Sequence, residues 1–279
     1  MLKPTALGDV DWVDFQRTGF QICGAANDLQ SSFSSIFRLA DDFFKNSIEV
    51  KLCDRLSSDV GYRPFGVEYS YSPDRPDQIE SFSFMPTADD AEQQLHSQVA
   101  KSLYVAMKSS FDLLLVSAEH FVAELFERIT GSPAGGRFTG GFRAWSHLQI
   151  NREASGQGDR ETDLDAHEDG CLFTIMTNTG PGLEIRYPDG TFRPVETKPN
   201  EVIVISGEIL WLLSGGLISP THHRVKPQQS GRMALLFFAD LESDFCTPWI
   251  QSATNRYINI GERSRFNATR YGLRPRQTG

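Results

Sequence analysis

A chain of 279 residues, 39% hydrophobic and 23% charged, can bury a sizeable core and accommodates one large domain or two small ones. Its net charge of −9 and lack of any Lys/Arg run argue against a nucleic-acid surface, and no apolar stretch reaches the length of a membrane span. Four scattered cysteines without a CxxC pair, behind an N-terminus with no secretory signal, predict reduced thiols in a cytoplasmic protein.

Asn27 is placed to cap a helix in which Leu29, Phe33, Ile36, Ala40 and Phe43 recur at helical spacing. Residues 62–76, rich in Pro, Ser and Tyr, predict an ordered loop. A longer helical pattern runs from about Thr87 to Thr130, with Leu95, Val99, Leu103, Ala106, Leu114, Ala118, Phe121 and Leu125 on one face and Gly131 as its stop. Its length fits one helix, or two with a break near Ser109-Ser110. From Phe142 the texture changes to short strands at 142–151, 171–176, 183–187, 201–206, 209–213, 221–226 and 232–238, with Pro188-Asp189-Gly190 as a turn.

Closely spaced strands of this kind predict a sandwich or jelly roll rather than a parallel sheet. The expected organisation is a single domain over 1–279, with a helix-rich support region (1–135), a β core that holds the chemistry (136–245) and a C-terminal segment (246–279). The arginines at 263, 265, 270, 274 and 276 read as a solvated tail.

The chemistry concentrates in Asp165-Ala-His167-Glu-Asp169-Gly170 and Thr221-His222-His223-Arg224-Val225. Residues two apart on an extended strand point to the same side, so His167 pairs equally well with Asp165 or Asp169. Spacing also leaves His222 and His223 as alternatives for a second imidazole. Two neutral imidazoles and one carboxylate form the facial triad that suits non-heme Fe(II) and dioxygen. A closed structural zinc site in a non-catalytic protein is the competing reading.

Nearly the whole chain from Gly19-Phe20 onward resembles the isopenicillin N synthase-like group of Fe(II)/2-oxoglutarate-dependent dioxygenases. Gly19-Phe20 is similar to the group's early "GF" strand. Phe43-Phe44 with Glu49 and Lys51 is similar to its "FF-x-L-P-x-E-x-K" helix end, although Ser47 and Ile48 stand there without the proline. Gly61-Tyr62, Gly66 and Glu68 match its "GY…G…E" loop, and Glu80-Ser81-Phe82 its "ESF". His167-Glu-Asp169 followed by Leu172-Phe-Thr174 resembles the iron strand, Gly182-Leu183-Glu184-Ile185 its "GLQV", and Ser206-Gly207-Glu208 its "N-x-G-D". His223, directly before Arg224-Val225, stands where the second iron histidine belongs.

The resemblance implies a mainly β fold with flanking helices, a double-stranded β-helix (jelly roll) core behind a helix-rich N-terminal half. It implies Fe(II) held by His167, Asp169 and His223, with 2-oxoglutarate and O2 as co-substrates. It also implies oxidation of a small-molecule C–H bond by hydroxylation, desaturation or ring closure, possible steps of natural-product biosynthesis. His222 then faces the other way or toward the side chains behind the ligands, while Arg224, on the face opposite His223, reads on its own as a structural ion-pair residue.

Arg232, nine residues after His223, matches the arginine of the family's "R-x-S" motif and would take the distal carboxylate of 2-oxoglutarate bidentately. Ala234 replaces the serine. The family's co-substrate tyrosine is also missing from Leu148-Gln149-Ile150-Asn151-Arg152, leaving Asn151 or Gln149 to make that contact. These departures keep open an oxidase that does not use 2-oxoglutarate. Trp145 and His147 either line the pocket or pack in the core. Substrate contacts are expected from the 69–75 loop, the segment 248–273 and the polar 152–164 insert, which reads either as a lid or as a disordered surface loop. A monomer is expected.

Overall fold

The computed structural model describes residues 7–57, 60–88, 90–154, 160–228 and 231–270. Helix α1 (Trp12–Thr18) is capped by Asp11 and ends at Gly19, whose φ of 78° is the left-handed conformation that glycine adopts without cost. It leads into β1 (Phe20–Gly24) and then α2 (Asn27–Phe44), which buries Leu29, Phe33, Ile36, Ala40 and Phe43 as its spacing predicts. The cap position belongs to Ala26, one residue earlier than expected, and makes no side-chain bond. After α3 (Ile48–Cys53) come β2 (Gly61–Arg63) and β3 (Ile79–Phe84), separated by the expected loop.

The long helical pattern divides into α4 (Ala91–Gln94) and α5 (Gln98–Thr130). The interruption falls at Leu95–Ser97, where the Ser97 hydroxyl caps α5 through the Ala100 amide, and α5 runs unbroken through Ser109-Ser110. The buried Ser110 instead meets Ser32 of α2 through its hydroxyl. An apolar face at helical period cannot reveal such a cap, because Leu95 fits the stripe either way.

Further along lie β4 (His147–Glu153), β5 (Leu164–His167), β6 (Phe173–Asn178), β7 (Leu183–Arg186), β8 (Phe192–Pro194) and β9 (Glu201–Ser206). Helix α6 (Glu208–Leu213), β10 (His223–Val225), β11 (Met233–Ala239), a 3-10 turn (Ser243–Phe245) and α7 (Ile260–Arg270) complete the fold. The strand expected at 209–213 is α6. Its continuous run Ile209-Leu210-Trp211-Leu212-Leu213 carries no period that separates buried strand from buried helix, and Ile209, Leu210, Leu212 and Leu213 are all buried. Part of the expected C-terminal tail is the helix α7. Arg274 and Arg276 lie outside the described residues, as do 155–159 of the proposed lid.

Two antiparallel sheets form the jelly roll, seven strands in the order β1-β9-β6-β11-β4-β3-β2 and four in the order β5-β10-β7-β8. The seven-stranded sheet has two apolar faces. Leu148, Ile150, Phe173, Ile175, Val202, Val204, Leu235 and Phe237 pack toward α2 and α5. Phe20, Met176, Ile203, Ile205, Ala234 and Leu236 face Leu183, Ile185 and Val225 of the smaller sheet. Alternation along each strand assigns its residues to these layers. Among the described residues no helix is long and apolar enough to cross a membrane.

Candidate metal centre

His223 and His167 face each other across the β10–β5 ladder, with ring centroids 4.3 Å apart. Asp169, on the turn that leaves β5, brings Oδ1 to 3.8 Å from His167 Nε2 and 4.0 Å from His223 Nε2. One ligand atom from each residue lies within 4.8 Å of the others, a spacing that a single ion bridges.

Backbone contacts orient both imidazoles. His167 Nδ1 lies 2.7 Å from the Asp165 carbonyl and His223 Nδ1 lies 3.2 Å from the Thr221 carbonyl. A carbonyl only accepts, so each Nδ1 carries the proton and donates it, leaving each Nε2 lone pair for a metal. Burial, assisted by the neighbouring His167, lowers His223 from 6.5 to about 4, which keeps the ring neutral as ligation requires. Thr174 on β6 donates its hydroxyl to Asp169 Oδ2 at 2.5 Å, so Oδ1 is the free oxygen.

The turn itself is fixed by close packing. A Cβ on Gly207 would stand 2.2 Å from the Cys171 carbonyl and 2.9 Å from that of Asp169, so only glycine allows this approach. The Glu208 amide donates to the Asp169 carbonyl at 2.9 Å, and Asn267 of α7 holds the Gly170 carbonyl at 2.9 Å. On the histidine side, the Thr221 hydroxyl donates to the Gly19 carbonyl at 2.6 Å. The Gly19-Phe20 and Ser206-Gly207-Glu208 motifs thus brace the two ligand segments.

The rival ligands turn elsewhere. Asp165 forms an ion pair with Arg75 at 2.9 Å and accepts from the Thr162 hydroxyl. His222 faces Glu168 at 3.7 Å. Arg224 pairs with Glu184 at 2.7 Å, the structural role expected for it.

The inner face of β4 carries the other expected residues. His147 stacks on Phe238 at 4.6 Å, and Phe238 lies opposite Thr174 in the sheet, so His147 sits behind the Asp169 support. Trp145 is buried before the strand begins. Gln149 donates to Asn151 at 2.6 Å and to Glu68 at 3.0 Å, and its carbonyl accepts from Arg63. Arg63 also donates to Ser81 and Ser83. Asn151 lies opposite Ala234.

Arg232 is buried beside this wall, paired with Glu153 and bonded to the Gly180 carbonyl at 3.1 Å. Glu153, Thr174, Arg63 and Glu68 were not singled out as site residues by sequence reasoning. Only Glu68 and Thr174 lay within quoted motifs; strand pairing places Glu153, Thr174 and Arg63, and contacts to Arg63 and Gln149 hold Glu68 of the β2–β3 loop beside them.

The smaller sheet and the turn that leaves β5 thus bring two histidines and a carboxylate together as a donor set of the facial-triad type. Residues 145–240 match the family model of the 2OG-Fe(II) oxygenase superfamily. The chain is 38% identical over 69 residues to the 2-oxoglutarate-dependent dioxygenase AOP3 of Arabidopsis thaliana, a stretch covering 24% of this chain and 17% of that protein's length. A full-length Neurospora crassa protein, solved in complex with alpha-KG and thymine, aligns over 92% of this chain and 89% of its own, with a TM-score of 0.72 at 18% identity. A 2OG-Fe(II) oxygenase family protein from Caulobacter crescentus aligns over 92% of both chains, with a TM-score of 0.67 at 20% identity. At these identities the likeness to solved structures is one of fold.

Proposed function

We propose that this chain is a non-heme Fe(II), 2-oxoglutarate-dependent oxygenase that acts on a C–H bond of a small organic molecule. The observation that carries this reading is the convergence of His167, Asp169 and His223 on a point that one ion can fill. The donor set fits ferrous iron, because two neutral imidazoles and one carboxylate on one side leave the opposite positions for co-substrates. Bound there, iron couples dioxygen reduction to the conversion of 2-oxoglutarate into succinate and carbon dioxide and to oxidation of the substrate.

The chain's residues supply placement. His167 and His223 would bind through Nε2 and Asp169 through Oδ1, since their other polar atoms are already engaged. Arg232 offers a guanidinium to a distal carboxylate, with Asn151 and Gln149 on the adjacent strand. Phe20, Ile203, Ile205 and Leu236 form an apolar wall that excludes water from the reacting centre. The Arg63–Glu68–Gln149 cluster lies on the polar side of the same interior and suits a substrate with hydrogen-bonding groups. The Neurospora crassa protein, solved with alpha-KG, and JOX2, solved with 2OG, Fe and JA, support the co-substrate assignment by their shared fold. The reading takes the protein as a cytoplasmic monomer without a nucleic-acid partner, consistent with a charge of −9 and free cysteines.

A second reading, an oxidase that draws all electrons from its substrate, is favoured by Ala234 in place of a hydroxyl and by the engagement of Arg232 with Glu153. Aerobic assays with Fe(II) and a panel of small molecules separate the two. Succinate released in step with oxygen consumed establishes the first, and oxygen consumption indifferent to 2-oxoglutarate establishes the second.

A further inference from the structure

Arg232 already has a resident carboxylate. Its Nη1 donates to Glu153 Oε1, both side chains are 2% exposed, and the Glu153 amide donates to the Arg232 carbonyl at 2.9 Å. The pair follows from register, since Met233 lies opposite Arg152 and the flanking residues 232 and 153 therefore meet on the inner face. A second acid stands close by. Asp163, whose amide donates to the Val225 carbonyl, acts electrostatically on both Glu153 and Arg232, and Arg160 offsets it in part. Among the described residues, the buried Glu153 Oε2 and Asp163 Oδ2 have no hydrogen-bond partner. The Arg232 guanidinium therefore serves Glu153 directly and shares Asp163 with Arg160.

The distal carboxylate of 2-oxoglutarate would be a third acid at the same cation. Carboxylates crowded in a poorly polarisable interior cannot all be ionised. We propose that Glu153 gates the keto-acid anchor: 2-oxoglutarate engages Arg232 as Glu153 takes up one proton and gives up its place on the guanidinium. This rests on the assignment of Arg232 as the anchor. The groups facing Glu153 are Arg232 from β11 and Asp163 from the segment before β5. Its β3 neighbour Ile79 is apolar, while Glu80 and Arg152 pair on the opposite face. Burial, opposed by Arg232, holds the Glu153 carboxyl up at about 7, so the coupling falls in the neutral range.

Calorimetric titration of the Fe(II) protein with 2-oxoglutarate, without oxygen and in buffers of different ionisation enthalpy, tests the gate between about pH 6 and 8.5. Above the Glu153 pKa, uptake approaching one proton per ligand and a Kd that weakens about tenfold per pH unit are expected. Glu153→Gln, which keeps the shape without the charge, should bind with no such proton uptake. The wild-type titration is decisive on its own if that variant does not fold. Binding with a pH-independent Kd and no proton uptake overturns the gate and leaves the keto-acid reading standing. Failure of 2-oxoglutarate to bind either protein at any pH, with Fe(II) bound, overturns both.

Discussion

Thr174 donates its hydroxyl to Asp169 Oδ2 across 2.5 Å, from the floor of the large sheet to the turn that carries the carboxylate. The bond selects which Asp169 oxygen is free and stops the side chain from rotating. Outer partners of metal ligands of this kind are typically worth about 10–100-fold in affinity. Thr174→Val keeps the shape and loses the donor. It should weaken Co(II) or Fe(II) binding by about that factor with the fold intact, as read by metal titration beside circular dichroism. Unchanged affinity would remove Thr174 from the site.

Away from the site, Glu80 is fully buried and accepts from Lys51 and from the Tyr62 hydroxyl, each at 2.6 Å, and pairs with Arg152. Removing one partner of a buried charge network typically costs about 3–5 kcal/mol. Glu80→Gln should lose stability of that order in urea unfolding while binding metal with the wild-type stoichiometry, because Glu80 points toward α3 rather than into the jelly roll. A loss below about 1 kcal/mol would mean that the network is solvated like a surface pair.

The Glu153 carboxyl, raised to about 7 by burial, makes stability depend on pH with a definite sign. The folded protein holds this proton more tightly than the unfolded chain, so stability is lost as pH rises through the folded value. The depressed His223 acts oppositely, because the unfolded chain binds its proton between about 4 and 6.5, and stability there rises with pH. Above pH 6.5 only the Glu153 effect of the two remains. Metal-free protein should lose about 1 kcal/mol between pH 6.5 and 8 in urea titrations, and Glu153→Gln should flatten that decline. A wild-type stability that rises over this interval contradicts the assignment.

Thiol chemistry gives an independent check on the packing. Cys53 is exposed, whereas burial raises Cys23 to about 11, Cys246 to about 12 and Cys171 well above its ordinary value. The thiolate is the reactive form, so a disulfide reagent should titrate one thiol per native chain and four after denaturation. Fast reaction of a second native thiol would show that a core layer is open.

The ligand strands were legible because their pattern is local: His167 and Asp169 share one short segment, and His223 is marked by the Arg-Val that follows it. The structure turns Asp165 toward Arg75 and His222 toward Glu168, which spacing alone could not do. Strand spacing narrowed the fold to a sandwich or jelly roll, the family resemblance chose the jelly roll, and the two long helices were legible from their period. Helix α6 was not, because a run of five apolar residues has no periodicity. Glu153, read only as part of the 152–164 insert, was not linked to Arg232 because that pairing arises from the β4–β11 register. The same register puts Asn151 beside Ala234, and a contact of Asn151 with the co-substrate remains a proposal of the site reading.

The proposed activity requires that His167, Asp169 and His223 hold iron and leave room for a keto acid. Anaerobic Fe(II) protein titrated with 2-oxoglutarate and followed by visible absorption tests this most directly. A charge-transfer band that saturates at one 2-oxoglutarate per bound iron, and that is lost in His223→Ala, is the predicted result. Absence of iron uptake by the wild-type protein, or an undiminished band in His223→Ala, would contradict it.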